Sequence, residues 1–432
     1  MVVYGRRRCG KSRLLREVLP RGGAVYFVAD DRESALQRAS LAAALETVVA
    51  GFGRARHASW DDLLDDAWER VPAGSVLALD EFPALVSAAP ELASLLQKRI
   101  DAGGALGIVL CGSSQRMMQG LVLERTAPLY GRASEILRIG PLDAGWIQAA
   151  LRLRDPRRAI EAFAVWGGVP RYWELAAAAP DLRSGVRDHV LSPLGVLHDE
   201  PARLLLDDLR DTTQAGSILS LAGQGCHRVS EIAARLGKPA SSLARPVQRL
   251  VELGLLRRDV PFGVPARDAK RTLYRVADPF LRFWFRFVEP NRSRLEARQI
   301  EPVTAAVLRE LPQHVAGVWE ELARDSVARL EIGGRRWRPA ARWWGAGLGR
   351  TPLEIDVVAE SEDGTAVLVG EAEWSGTDRA GRLAAALRGG AERLPARAGR
   401  PAVLALWLAR RPARAPEGVI VLTPREVLAA LR

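Results

Sequence analysis

Tyr4-Gly5-Arg6-Arg7-Arg8-Cys9-Gly10-Lys11-Ser12 satisfies the spacing G-x-x-x-x-G-K-[ST]. The glycines of such a loop let backbone N–H groups turn inward around phosphates, and the helix that follows aims its N-terminus at the anion. The context agrees: the apolar stretch Val2–Tyr4 precedes the loop and an amphipathic helix over 12–18 follows it. Gly5, Arg6, Arg7, Arg8, Cys9, Gly10, Lys11, Ser12 and Arg13 therefore read as an ATP-binding loop. Lys11 would reach the β- and γ-phosphates, and Ser12 would give one oxygen to Mg²⁺. Only three residues precede Tyr4. A strand that short points to a missing N-terminal segment or a miscalled start.

Further apolar runs follow at Ala24–Ala29, Val76–Asp80, Ile108–Cys111 and Ile136–Ile139, separated by amphipathic helices such as 34–49 and 60–69. Buried strands alternating with helices imply a parallel sheet covered on both faces, an α/β class. Val76-Leu-Ala-Leu-Asp80-Glu81 places Asp80 at the carboxyl edge of that sheet as a second Mg²⁺ contact. Glu81 would polarise the attacking water as general base. Ser113, after the fourth strand, would contact the γ-phosphate or that water. Arg132, in Pro128-Leu-Tyr-Gly131-Arg132, reads as an arginine finger, in cis or toward a neighbouring subunit.

The bulk numbers bound the rest. The chain has 432 residues, 48% hydrophobic and 26% charged. These are globular values that exclude a disordered, collagenous or disulfide-scaffold protein. No run of eighteen apolar residues is present, and no signal-peptide core opens the chain. Three scattered cysteines make neither a disulfide framework nor a zinc cluster, so a cytoplasmic location is expected. The net charge is +11, mostly arginine, with lysine only at Lys11, Lys98, Lys238 and Lys270. Residues 221–300 hold 16 basic and 7 acidic residues, which concentrates the excess in the middle of the chain.

Taken in order, YGRRRCGKSRLL, LALDEFPAL, VLCGSSQRMM, PLYGRASEI and WGGVPRYWEL resemble the archaeal-type ATPase family, AAA-like P-loop proteins of archaea and bacteria. The resemblance covers about residues 1–290 and continues more weakly beyond. It implies ATP binding, hydrolysis and a helical lid after the sheet. Arg132 matches the family's LYGR segment, and Gly167-Gly168-Val169-Pro170 matches a turn in its lid.

The basic middle reads as helices over 216–226, 229–237 with Ser230 as N-cap, and 241–254, then two short strands. That order resembles a winged helix domain, whose second helix enters a major groove. Ser241, Ser242, Arg245, Gln248 and Arg249 would face DNA, and Arg257, Arg258, Lys270 and Arg271 would contact phosphates. Pro246 is a departure that would kink the helix or shift its start. Packing and protein–protein contact are the competing uses of such a domain. The aromatic run Tyr274–Phe287 reads as interdomain packing, and it resembles the stretch that opens the C-terminal domain of these ATPases.

From about residue 350 strands return. Asp356 and Glu371 lie on neighbouring strands and Glu320 on the helix before them. Two or three such acids would hold a divalent cation. The pattern resembles the PD-(D/E)xK nuclease fold, but Glu373 stands where the lysine of E-x-K belongs. A glutamate reverses the charge that would offset the transition state, so these four read as a degenerate nuclease site.

The expected organisation is a P-loop NTPase core over 1–142, a helical lid over 143–210, a winged helix over 211–290 and an α/β restriction-endonuclease-like domain over 291–432. Three functions stand open. The first is an ATPase using ATP and Mg²⁺ to control DNA binding, and the second a signalling or scaffold ATPase whose C-terminal modules bind protein. The third and weakest is an ATP-gated nuclease. Oligomerisation is compatible with all three, and no membrane partner is expected.

Overall fold

The computed structural model describes residues 1–209, 211–265, 271–375 and 379–432. They form two compact units, Met1–Pro141 with Leu204–Arg210 and Leu142–Arg203 with Asp211–Arg432.

The first unit carries five parallel strands, β1 (Val2–Tyr4), β2 (Ala24–Val28), β3 (Val76–Asp80), β4 (Gly107–Gly112) and β5 (Ile136–Arg138). Their order is β2-β3-β4-β1-β5. β1 lies between β4 and β5, pairing Val3 with Cys111 and Leu137, so even a three-residue strand has both backbone edges satisfied. The inner strands are nearly continuous apolar runs because helices cover both faces. Phe52, Trp60, Leu63, Leu77, Phe82 and Leu85 fill one face, and Val3, Leu15, Ala78 and Cys111 the other. Ser59 caps helix Trp60–Arg70, closed reciprocally by Asp62.

The second unit opens with helices, among them Pro156–Trp166 and Pro170–Ala178. Helices Thr212–Gly223, Val229–Arg235 and Ala244–Glu252 follow, then the antiparallel pair β6 (Leu256–Asp259) and β7 (Leu273–Val276). This is a helix-turn-helix with a wing. A 3₁₀ turn over Ala240–Leu243 delays the third helix to Ala244. Pro246 thus falls in the first turn, where no N–H is needed, and causes no kink. The second helix starts at Val229 with Arg228 as N-cap, not Ser230; the Arg228 N–H donates to the Glu231 carboxylate.

The long helix Ile300–Val327 leads into a five-stranded mixed sheet in order β12-β11-β10-β9-β8. Its strands are β8 (Ala341–Ala346), β9 (Pro352–Glu360), β10 (Val367–Glu373), β11 (Ala402–Leu408) and β12 (Val419–Leu422). β8, β9 and β10 pair antiparallel, and β10, β11 and β12 parallel. Leu353, Ile355, Val367, Val369, Leu406 and Leu408 alternate onto the face covered by helix Ala380–Arg393. On the other, the Trp319 indole donates to the Trp407 carbonyl at 3.1 Å. The last helix, Pro424–Ala430, returns to the start of the unit: the Gly145 N–H donates to the Leu431 carbonyl at 3.0 Å. No described helix is long and apolar enough to cross a membrane.

Candidate active site

The loop after β1 is built on two residues that must be glycine. Gly5 has φ 144°, and a Cβ there would lie 2.0 Å from the Ile139 carbonyl oxygen. Gly10, at φ 93°, directly precedes helix Lys11–Val18. Lys11 is buried, and its ammonium donates to the carbonyls of Gly5 (2.9 Å) and Arg6 (3.1 Å). The loop is thereby wrapped around its own lysine at a helix N-terminus.

Asp80 ends β3 at the carboxyl edge, almost fully buried. Burial pushes its carboxyl up, but hydrogen bonds from the Cys111 thiol, the Ser12 hydroxyl, the Tyr26 hydroxyl and the Glu81 N–H outweigh that and hold it below the usual range. Tyr26 in turn is pushed up to about 12, by burial and by its bond to Asp80. A charged carboxylate touching the loop serine is the donor pair a divalent cation on a nucleotide needs, and these residues fit Mg²⁺.

Glu81 sits at φ 53°, a left-handed conformation that a glutamate adopts at a cost of about 1–3 kcal/mol. There its carboxylate accepts from the Ser113 hydroxyl (2.8 Å) and N–H (3.3 Å). Sequence placed Ser113 beside the γ-phosphate or water; the structure brings it to Glu81, as that residue's orienting partner. Tyr26 and Cys111 were missed. A tyrosine two residues before the end of β2 and a cysteine one residue before the end of β4 are visible in the sequence, but only the strand order sets both beside Asp80.

Arg132 is not brought to this edge. Its guanidinium is bidentate on Asp101, at 2.8 and 2.9 Å, and also donates to the Pro128 and Tyr130 carbonyls. It lines a cavity with Met1, Gly104 and Ile108, at the amino ends of β1 and β4. A γ-phosphate contact in cis is therefore corrected: the sheet lies between Arg132 and the loop.

In the winged helix, Ser241, Ser242, Arg245, Gln248 and Arg258 are exposed, and Arg271 too. Arg245, Gln248 and Arg258 line a groove of about 910 Å³ between the third helix and the wing. Arg249 and Gln248 reach back to Glu252 (3.5 and 3.2 Å). Arg257 is corrected: it pairs with Asp259 (3.1 Å) and with Glu321 (3.3 Å), a residue of the long helix held well below the carboxylate range despite burial by Arg282 and Arg257. Its charge is spent inside the protein. Lys270 lies outside the described residues.

Among the carboxylates of the C-terminal sheet, Glu371 is pushed well above the usual range, first by burial, then by the charge and hydrogen bond of Asp356, then by Glu320. Glu320 is raised by burial and Asp356. These three do come together, and Asp356 also accepts from the Ala372 N–H at 3.1 Å. Glu373 does not join them; it accepts from its neighbour Ser375 through N–H (2.8 Å) and hydroxyl (2.6 Å). Among the described residues no group of three His, Cys, Asp or Glu is placed to hold a metal ion.

Comparisons with known proteins agree with these folds. Residues 284–383 match a family described as archaeal and bacterial proteins of unknown function. Residues 218–260 match the IclR helix-turn-helix domain. An uncharacterized protein of Methanocaldococcus jannaschii is 25% identical over 386 residues, covering 87% of this chain and 82% of that one. The Walker-type ATPase of Pyrococcus abyssi superposes with a TM-score of 0.50 at 19% identity, over 66% of this chain and 90% of that chain. The ORC2 protein of Aeropyrum pernix gives 0.41 at 16% identity, over 69% and 88%. The P-loop NTPase fold and the winged helix are thus seen from both directions.

Proposed function

We propose that this chain is a Mg²⁺-dependent ATPase whose nucleotide state controls duplex DNA binding through the winged helix. The observation that carries the first half is the carboxyl edge of the first sheet. There Ser12 touches an ionised Asp80, and Lys11 rests on the loop carbonyls. Nucleotide phosphates would draw the Lys11 ammonium off those carbonyls. Ser12 and Asp80 would hold the cation that offsets phosphate charge. Glu81, aimed by Ser113, would take a proton from water. A part for Arg132 requires a second subunit, because its own loop is on the far side of the sheet.

The DNA half is supported by the groove where Arg245, Gln248 and Arg258 remain exposed. The withdrawal of Arg257 into ion pairs favours the second reading, a protein-binding winged helix. One experiment separates the two: duplex DNA affinity across salt concentrations, with and without ATP–Mg²⁺, in wild type and Lys11→Ala. A nucleotide effect in wild type alone supports the proposal. Weak, nucleotide-blind binding sinks it. For the C-terminal sheet we infer a binding role without hydrolysis, on the strength of Glu373 standing where the lysine of E-x-K belongs.

A further inference from the structure

A second polar cleft, of about 470 Å³, lies within the second unit between the winged helix and the long helix Ile300–Val327. Three arginines converge on it: Arg275 from β7, and Arg282 and Arg286 one turn apart. Arg286 stands in a π-helical turn, Trp284–Val288, a widening that recurs at functional sites. Each of these arginines has a partner, but two of the three ion pairs are long, and Arg286 also donates to the Gln313 side-chain oxygen at 2.6 Å. Glu321 is shared between Arg282 (2.7 Å) and Arg257, Asp259 stays 3.6 Å from Arg275, and Glu310 stays 3.8 Å from Arg286. Burial lowers both Arg275 and Arg286 from the ordinary guanidinium range. The Nε of Arg275 and the Nδ1 of His227 are buried with no hydrogen-bond partner among the described residues. A buried guanidinium N–H that stays 3.6 Å from its carboxylate, beside an unpartnered imidazole nitrogen, is the kind of group an anion in the cleft would satisfy. His227 itself is pushed down to about 4, by burial and by Arg275. An anion between the two would oppose that shift. Gly317 opens the long-helix side, since a Cβ there would meet nothing within 4 Å.

We propose that this cleft binds a small phosphate-bearing anion, held by Arg275, Arg286 and His227. Guanidinium groups arriving from different elements, with an imidazole between, suit a tetrahedral dianion better than a flat carboxylate. The site does not depend on the nucleotide reading.

The test uses full-length Lys11→Ala, which silences the phosphate loop. Calorimetric titration with inorganic phosphate should show one site. Affinity should fall at least tenfold in Gly317→Glu, which lends the cleft a carboxylate of its own, and in Arg286→Gln. Melting temperature is checked in each, and Arg286→Gln decides if Gly317→Glu fails to fold. Tighter binding of glycerol 3-phosphate than of phosphate assigns a phosphate ester, and the reverse assigns the free ion. No uptake, uptake undiminished in the folded variants, or uptake abolished by stoichiometric duplex DNA would overturn the proposal.

Discussion

Two carboxylates in this molecule, Asp80 buried and Glu371 half-buried, have opposite fates. Asp80 is ringed by donors — a thiol, two hydroxyls and an N–H — and keeps its charge. Glu371 is ringed by Asp356 and Glu320 and keeps its proton. Burial raises the pKa of both. What differs is whether each neighbour gives hydrogen or competes for it. Without a cation present, the charge on each carboxylate is thus set by its surroundings, not by its position on a strand.

The sharpest way to break this contrast is at Lys11. Lys11→Ala should weaken ATP binding by about 3 kcal/mol, roughly a hundredfold in Kd, as measured calorimetrically. Unchanged affinity would remove the first site from consideration. Glu81→Gln should lower phosphate release by roughly 10²–10⁴-fold while nucleotide affinity stays. Ser113→Ala should act in the same direction more mildly, because Glu81 loses its orienting donor.

At the other carboxylate the sign runs with pH. A raised native pKa means that the folded state holds a proton which the unfolded chain has released. Stability is therefore greatest below about 4.5 and declines as pH climbs through the raised native pKa. Glu371→Gln should then raise the melting temperature at pH 8 and leave it nearly unchanged at pH 4. An equal shift at both would mean that Glu371 is not protonated at neutral pH. Asp80 runs the other way, its contribution present above about 4 and lost on acidification.

The smallest effect compares two arginines. Arg245→Ala should flatten the slope of log affinity for DNA against log salt by about 1. Arg257→Ala should leave the slope unmoved and lower the melting temperature, because buried Glu321 loses one of its two arginine partners.

Much of the first site was legible because its signals are local. The G-x-x-x-x-G-K-S spacing and an apolar run ending in Asp-Glu are read within a dozen residues, and β3 occupies its expected residues. The cap placed at Ser230 and the kink expected at Pro246 are local misreadings of where a helix starts; the misreadings that move a site residue are long-range. Nothing near Arg257 announces Glu321, and nothing near Arg132 announces that Asp101 would claim it at the opposite end of the strands. Charge on a sequence is a count of candidates. Pairing across tens of residues decides which remain available.

The return of the last helix to Gly145 has a consequence for biosynthesis. The Gly145 carbonyl is reached by the Arg432 side chain 287 residues later, and a Cβ on Gly145 would strike the Leu428 carbonyl at 2.3 Å. On a ribosome, the segment around Ala144–Ala150 must wait until residues 428–432 have emerged before it finds this partner. The first unit draws on residues no later than Arg210 and can close more than 200 residues earlier. A nascent chain would thus carry a folded first unit while its second unit is still open, and a frameshift that replaced residues 424–431 would damage the packing at 145 as surely as at 430.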